Sequence, residues 1–136
     1  MKNKTLQTPM VTAILLLGFL FFANTAKAQD TKTVYYFGMS RLANKKFAVT
    51  PILSSQIKKT NHVETCVSQL KMYLMDYIPA ETSYKIDWSN RSLAVDGLSG
   101  STRSQAENIR LKMINQYKEY GYEIVHLNYT SFSCDQ

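Results

Sequence analysis

Apolar and polar residues recur along the chain in a pattern that predicts five extended segments and two helices. Residues 33–40 (TVYYFGMS) are rich in β-branched and aromatic side chains and read as a strand. A polar turn at 41–45 leads into residues 46–53, where Phe47, Val49 and Leu53 share one face. Pro51 cannot donate to a ladder, so this second strand sits at an edge or ends there. In residues 63–78, Val63, Val67, Leu70, Leu74 and Tyr77 recur at helical spacing, with a capping-box pair in Asn61 and Glu64. Pro79 is expected to stop that helix.

Residues 83–88 and 92–95 read as a second hairpin, and Asp96 to Gly100 as a loop by composition. A second helix is expected over 102–120, lined by Ala106, Ile109, Met113, Tyr117 and Tyr120. Thr102 with Gln105, or Ser104 with Glu107, supplies its cap, and Gly121 ends it. Residues 122–129 form the last strand, with Val125, Leu127 and Tyr129 on one face and Ile124, His126 and Asn128 on the other. The order β-β-α-β-β-α-β contains the split-βαβ, ferredoxin-like pattern. The expectation is an α+β domain: an antiparallel sheet of four to five strands with two helices packed on one face.

The first 28 residues change how the rest is read. Lys2 and Lys4 precede an uncharged apolar run from Val11 to Phe22, and Ala26-Lys27-Ala28 offers small residues at a cleavage site. This is the pattern of a secretory signal peptide, and the strongly apolar part is too short for a helix across a bilayer of about 30 Å. The working protein is then residues 29–136, a single domain that is exported, periplasmic or secreted, with no integral membrane segment after cleavage. The whole chain carries 16 Lys and Arg against 10 Asp and Glu. Lys2, Lys4 and Lys27 leave with the leader and no acid does, so thirteen basic residues face ten acidic ones and the net charge falls to +3.

Export makes a bridge between Cys66 and Cys134 the first hypothesis for the two cysteines. In a strict ferredoxin-like fold the last strand ends far from the start of a first helix roughly 24 Å long. A five-residue tail reaches at most about 17 Å, and a disulfide needs Cα atoms within about 7 Å. A bridge therefore requires the last strand to run parallel to the one preceding the first helix.

No constellation of residues calls for a cofactor or a metal. His62 and Cys66 supply two ligands where a structural zinc site takes four, and an i,i+4 His–Cys pair is not a nucleophile signature. Asp87 and Asp96 could approach across the second hairpin as a hydrolytic carboxylate pair, with His126 as another candidate base. The segment from Asp96 to Thr102 (DGLSGST), with Arg103, has phosphate-loop ingredients, but it matches neither GxxxxGK[ST] nor GxGxxG, and a loop with a helix cap accounts for it.

Charge is unevenly placed. Residues 31–59 hold Lys32, Arg41, Lys45, Lys46, Lys58 and Lys59 with no acid, whereas residues 60–136 are net acidic. Lys45, Lys46, Lys58 and Lys59, with Tyr35 and Phe37 from the aromatic run, form the candidate surface for an anionic envelope component or a protein. Turn lysines that blunt an edge strand are the plainer explanation of the same residues. Nucleic acid is not an expected partner outside the cytoplasm. The functional expectation is an exported binding module, with a small secreted hydrolase or a structural subunit of an envelope assembly as alternatives.

Overall fold

The computed structural model describes residues 30–128 and 131–134. The expected leader lies outside them, as do Tyr129, Thr130 and Asp135. Apart from Asp30 and Thr31, the described residues belong to one compact unit, Lys32–Gln136. Its elements are β1 (Thr31–Leu42), β2 (Lys46–Val49), β3 (Leu53–Lys58), α1 (Val63–Glu81), α2 (Arg91–Ala94), β4 (Val95–Gly100), α3 (Arg103–Glu119) and β5 (Glu123–His126).

β1 is the spine. One edge pairs antiparallel with β4 from Tyr35↔Gly100 to Ser40↔Val95. The other pairs antiparallel with β2 from Met39↔Val49 to Leu42↔Lys46, and β3 lies beside the earlier part of β1. β5 adds outside β2 in parallel, so the sheet is mixed rather than antiparallel as expected. The break between β2 and β3 falls at Pro51, whose missing N–H interrupts the ladder. Buried Thr50 completes the pairing there: its N–H donates to the Gly38 carbonyl (2.9 Å) and its hydroxyl accepts from the Gly38 N–H (2.9 Å). The Thr50 carbonyl in turn accepts from Arg110 Nε at 2.8 Å.

The two long helices cover opposite faces of the sheet, which corrects the expected one-sided arrangement. Cys66, Leu70, Leu74 and Ile78 of α1 pack with Val34, Tyr36 and Leu42 of β1, and with Ala48 and Val95. Ile114 of α3, with Ile109, Met113 and Tyr117, packs with Phe37, Met39, Phe47 and Val49. Successive strand residues point to opposite faces, so neighbours Tyr36 and Phe37 enter different cores. Small residues let α1 come close: a Cβ on Gly38 would overlap Leu74 Cδ1, and one on Gly97, its β4 partner, would press on Val67.

Other expectations shift locally. α1 runs through Pro79 to Glu81, because a proline in the last turn forfeits one hydrogen bond while its φ suits a helix. Thr82 closes the end, donating its N–H and hydroxyl to the Ile78 carbonyl. The residue before α1 is His62, which makes no side-chain cap, so the Asn61–Glu64 capping box is not formed as expected. The second hairpin is replaced by a bridge of Ile86 to Leu42, the single turn α2, and then β4, which occupies the supposed loop. Thr102 caps α3 by accepting from the Gln105 N–H (3.1 Å), and Gly121 ends it at φ +79°, both as expected.

Cys66 and Cys134 are joined, with Cα atoms 5.2 Å apart. β5 runs parallel to β2, as the bridge required. The tail brings Phe132 edge-on to Tyr36 (6.2 Å) and to Tyr73 (5.6 Å). The bond closes a loop with a sequence separation of 68 residues. Loop-closure entropy for that length is worth about 4 kcal/mol. Replacing both cysteines by serine should therefore lower unfolding free energy in urea by about 4 kcal/mol; an unchanged denaturation midpoint would contradict it. Gly38→Ala should cost about 1–3 kcal/mol in the same measurement, since the added methyl must displace Leu74.

Candidate functional site

The hairpin lysines do not form one patch. β1 has 12 residues, so its ends lie roughly 36 Å apart at about 3.3 Å per residue. Lys45 and Lys46 sit at the β1–β2 turn, where Asn44 and Lys45 take left-handed backbone conformations (φ 60° and 52°). Lys58 and Lys59 end β3 at the other extremity, where Gln56 donates to the Thr33 hydroxyl (2.7 Å). Lys46 is partly committed: its Nζ lies 3.2 Å from Glu123 Oε1 and 5.5 Å from the Tyr84 ring centre. Phe37 is fully buried in the α3-side core, so it offers nothing to a partner, while Tyr35 is half-buried.

At the Lys32 end the fold builds a cleft of about 600 Å³. β4 stops at Gly100, opposite Tyr35, so Thr31–Val34 of β1 extend past it with no strand on that side among the described residues. α1 begins on one face and α3 on the other. Lys32 and Thr33 form the back of the cleft, His62 and Glu64 one wall, and Ser99, Ser101 and Gln105 the other. Gln105 Oε1 accepts from the Ser101 N–H (2.8 Å) and hydroxyl, which fixes that wall. His62, the residue before α1, makes no side-chain cap, and its carbonyl accepts from the Thr65 N–H (3.2 Å). Lys58 and Lys59 lie on the chain just before His62. Sequence reasoning weighs the stretch from Asp96 to Thr102 as a phosphate loop and settles on a loop with a helix cap, so it does not point to this cleft.

The hydrolytic constellation is not assembled. Asp87 pairs with Arg41 (2.8 Å) and Asp96 with Lys71 (3.3 Å). Hydrogen bonds from Ser89, and then the Arg41 charge, hold the Asp87 carboxyl below the usual range, the reverse of what a general acid needs. His126 is on β5, separated from β4 by β1 and β2, about 14 Å at normal strand spacing. Its Nδ1 accepts from Arg110 Nη2 at 3.3 Å. The Cys66 sulfur is spent in the disulfide, which removes it as a nucleophile with His62. Among the described residues no three His, Cys, Asp or Glu side chains gather as metal ligands, and no helix is long and apolar enough to cross a membrane.

Near the hairpin end, Tyr117 stacks on Phe47 (3.7 Å between centres, planes 9° apart) and meets Tyr122 edge-on at 5.1 Å. Burial raises the Tyr117 phenol above the ordinary tyrosine range. Burial raises Tyr36 likewise, against the opposing effect of its 2.6 Å hydrogen bond with Ser55. Comparison with family models, with curated proteins and with solved structures finds no match for this chain.

The two raised phenols set an alkaline limit. As pH passes the ordinary tyrosine value of about 10, the unfolded chain loses these protons before the folded one does. The unfolded state then binds fewer protons, so stability falls as pH rises. The contribution is complete below about pH 10 and disappears above it. Denaturation midpoints at about pH 9 and 11 should drop less for Tyr36→Phe than for the wild type; equal drops would show that Tyr36 does not titrate late.

Proposed function

We propose that this chain is an exported, non-enzymatic binding module that receives an anionic group in the cleft at the Lys32 end of the sheet. The observation that carries this reading is the convergence of Lys32 with hydroxyl and amide groups of Thr33, Ser99, Ser101 and Gln105 around one open cavity. Lys58 and Lys59 enter from the adjoining turn and add positive potential, which raises the local concentration of an anionic ligand. Glu64 is the acid on the cleft wall, and it favours ligands whose remaining surface donates hydrogen bonds. The Cys66–Cys134 disulfide is consistent with an exported protein. The apolar leader and the Ala26-Lys27-Ala28 site supply the route, and the mature amino terminus is then Gln29.

Charge reversal separates this site from the original hairpin patch. A Lys32→Glu/Lys58→Glu/Lys59→Glu variant should lose at least about tenfold in affinity for an acidic envelope polysaccharide at low salt. A Lys45→Glu/Lys46→Glu variant should stay close to wild type, because those residues lie at the far end of β1. The opposite ranking, or no loss in the triple variant, would end the reading.

A further inference from the structure

The backbone at the rear of the Lys32 cleft has a direction that can be read residue by residue. In an antiparallel ladder the N–H and C=O of one residue point to the same neighbouring strand, and successive residues alternate between neighbours. Gly38 turns both groups toward Thr50: its N–H donates to the Thr50 hydroxyl (2.9 Å) and its carbonyl accepts from the Thr50 N–H (2.9 Å). Arg41 turns its carbonyl to the opposite edge, where it accepts from the Asp87 N–H (2.9 Å). Odd-numbered residues of β1 therefore bond toward the β4 edge. β4 meets Tyr35, Phe37 and Met39 with Gly100, Leu98 and Asp96, and its pairing ends at Tyr35. Thr31 and Thr33 thus present N–H and C=O to an edge that carries no strand among the described residues.

Packing explains why β4 does not continue. A Cβ on Gly100 would overlap the Ala106 backbone, and Gln105 Oε1 accepts from the Ser101 N–H (2.8 Å), so the chain turns into α3 directly after its last pairing. The line of β4 beyond Gly100 is then the cleft of about 600 Å³. A strand laid there at the usual spacing of about 4.8 Å would pair with Thr33 as Leu98 pairs with Phe37. Val34 faces the α1 side of the sheet, and Lys32, two residues earlier, shares that face. An acidic residue opposite Lys32 would complete a cross-strand pair of opposite charges. Gln56 of β3 donates to the Thr33 hydroxyl (2.7 Å), which sets Lys58, two residues further along β3, beside the same end of β1. A second copy joined through this edge would bring the lysines of both copies together, and like charges oppose that pairing.

We infer that an extended acidic peptide docks in the Lys32 cleft by adding a strand to β1, exchanging two hydrogen bonds with the Thr33 main chain and placing a carboxylate against Lys32. This assignment rests on the cleft being a binding site and names what carries the anionic group. Main-chain pairing supplies affinity, and the alternating side chains supply selectivity. An acidic polysaccharide meets the lysine charge but lacks the paired N–H and C=O that Thr33 matches.

The probe is the blocked peptide acetyl-SVTETS-amide, whose valine, central threonine and glutamate fall opposite Val34, Thr33 and Lys32 in antiparallel register. Calorimetry on the disulfide-intact protein should give a dissociation constant of about 0.1–1 mM. Saturating peptide should slow hydrogen exchange at the Thr33 amide. Replacing the peptide glutamate by lysine should weaken binding about tenfold. Thr33→Pro removes the outward N–H at a position where an edge strand accepts proline, and should also weaken binding about tenfold. Thr33→Val keeps the N–H and should bind at least about fivefold more tightly than Thr33→Pro. No binding up to about 10 mM, unchanged Thr33 exchange, or equal affinity of Thr33→Pro and wild type with matching circular dichroism would overturn the assignment. Self-association that Thr33→Pro abolishes, with no peptide binding, would overturn it in favour of a second copy. If the peptide fails while the triple lysine variant still loses the acidic polysaccharide, strand addition falls and the anion cleft stands; if neither ligand depends on those lysines, both fall.

Discussion

Tyr36 and Phe37 are consecutive in β1 and neither exposes any surface. In an extended chain they point in opposite directions, so β1 must have an apolar layer on each side. That requirement settles the architecture. α1 fills one layer with Leu70, Leu74 and Ile78, and α3 the other with Ile114 and its neighbours. β3 and β4 flank β1, and the chain crosses from one to the other through α1; it then crosses back over β1 and β2 through α3 to reach β5. Gly38 and Gly97, paired side by side, bring the backbone of the sheet close to α1. A side chain at either position would push the helix from the core that β1 needs.

The C-terminus is the weak edge of this scheme. β5 has four residues, pairs on one side only and leads into a tail with no strand among its described residues. The disulfide compensates, fastening Cys134 to a fully buried position on α1 and seating Phe132 between Tyr36 and Tyr73. A domain of this length has a limited core, and a covalent closure of a long loop offsets much of the chain entropy that the short strand cannot.

Much of this was legible in the sequence, and the misreadings share a cause. The helices, the first strand and the facing of Val125 and Leu127 followed from periodicity, and reach arguments linked the disulfide to a parallel last strand. The one-sided sheet follows from matching the β-β-α-β-β-α-β order to the ferredoxin-like pattern, in which both helices pack on one face. Yet Tyr35-Tyr36-Phe37 already carried the opposite signal, since a strand buried on both faces reads as an unbroken apolar run. Composition alone makes Asp96 to Gly100 a loop because glycine usually marks one; here a Cβ at Gly97 would press on Val67, a tertiary reason that local propensity cannot see. Residues 87–94 were hidden for a related reason. Their conformation is fixed by Ser40 and Arg41, about fifty residues earlier in the chain, and nothing within the segment itself announces it.

Two openings arise along one edge because β1 is longer than its edge partner. β4 covers only Tyr35 to Ser40. Before Tyr35, the overhang of Thr31–Val34 leaves a gap between the starts of α1 and α3, and that gap is the Lys32 cleft. Beyond Ser40, the same edge is taken up by Ile86 opposite Leu42, and the chain must bulge outward through Trp88 to reconcile the two pairings. One strand length thus sets two openings at opposite ends of one edge, with different chemistry. The amino-terminal opening gathers lysine, hydroxyls and helix starts. The carboxyl-terminal one displays the half-exposed Trp88 indole, and the neighbouring Asp87 carboxylate is paired with Arg41. Lysines scattered over the first half of the sequence therefore do not form one patch: Lys45 and Lys46 lie at one end of β1, and Lys32, Lys58 and Lys59 at the other.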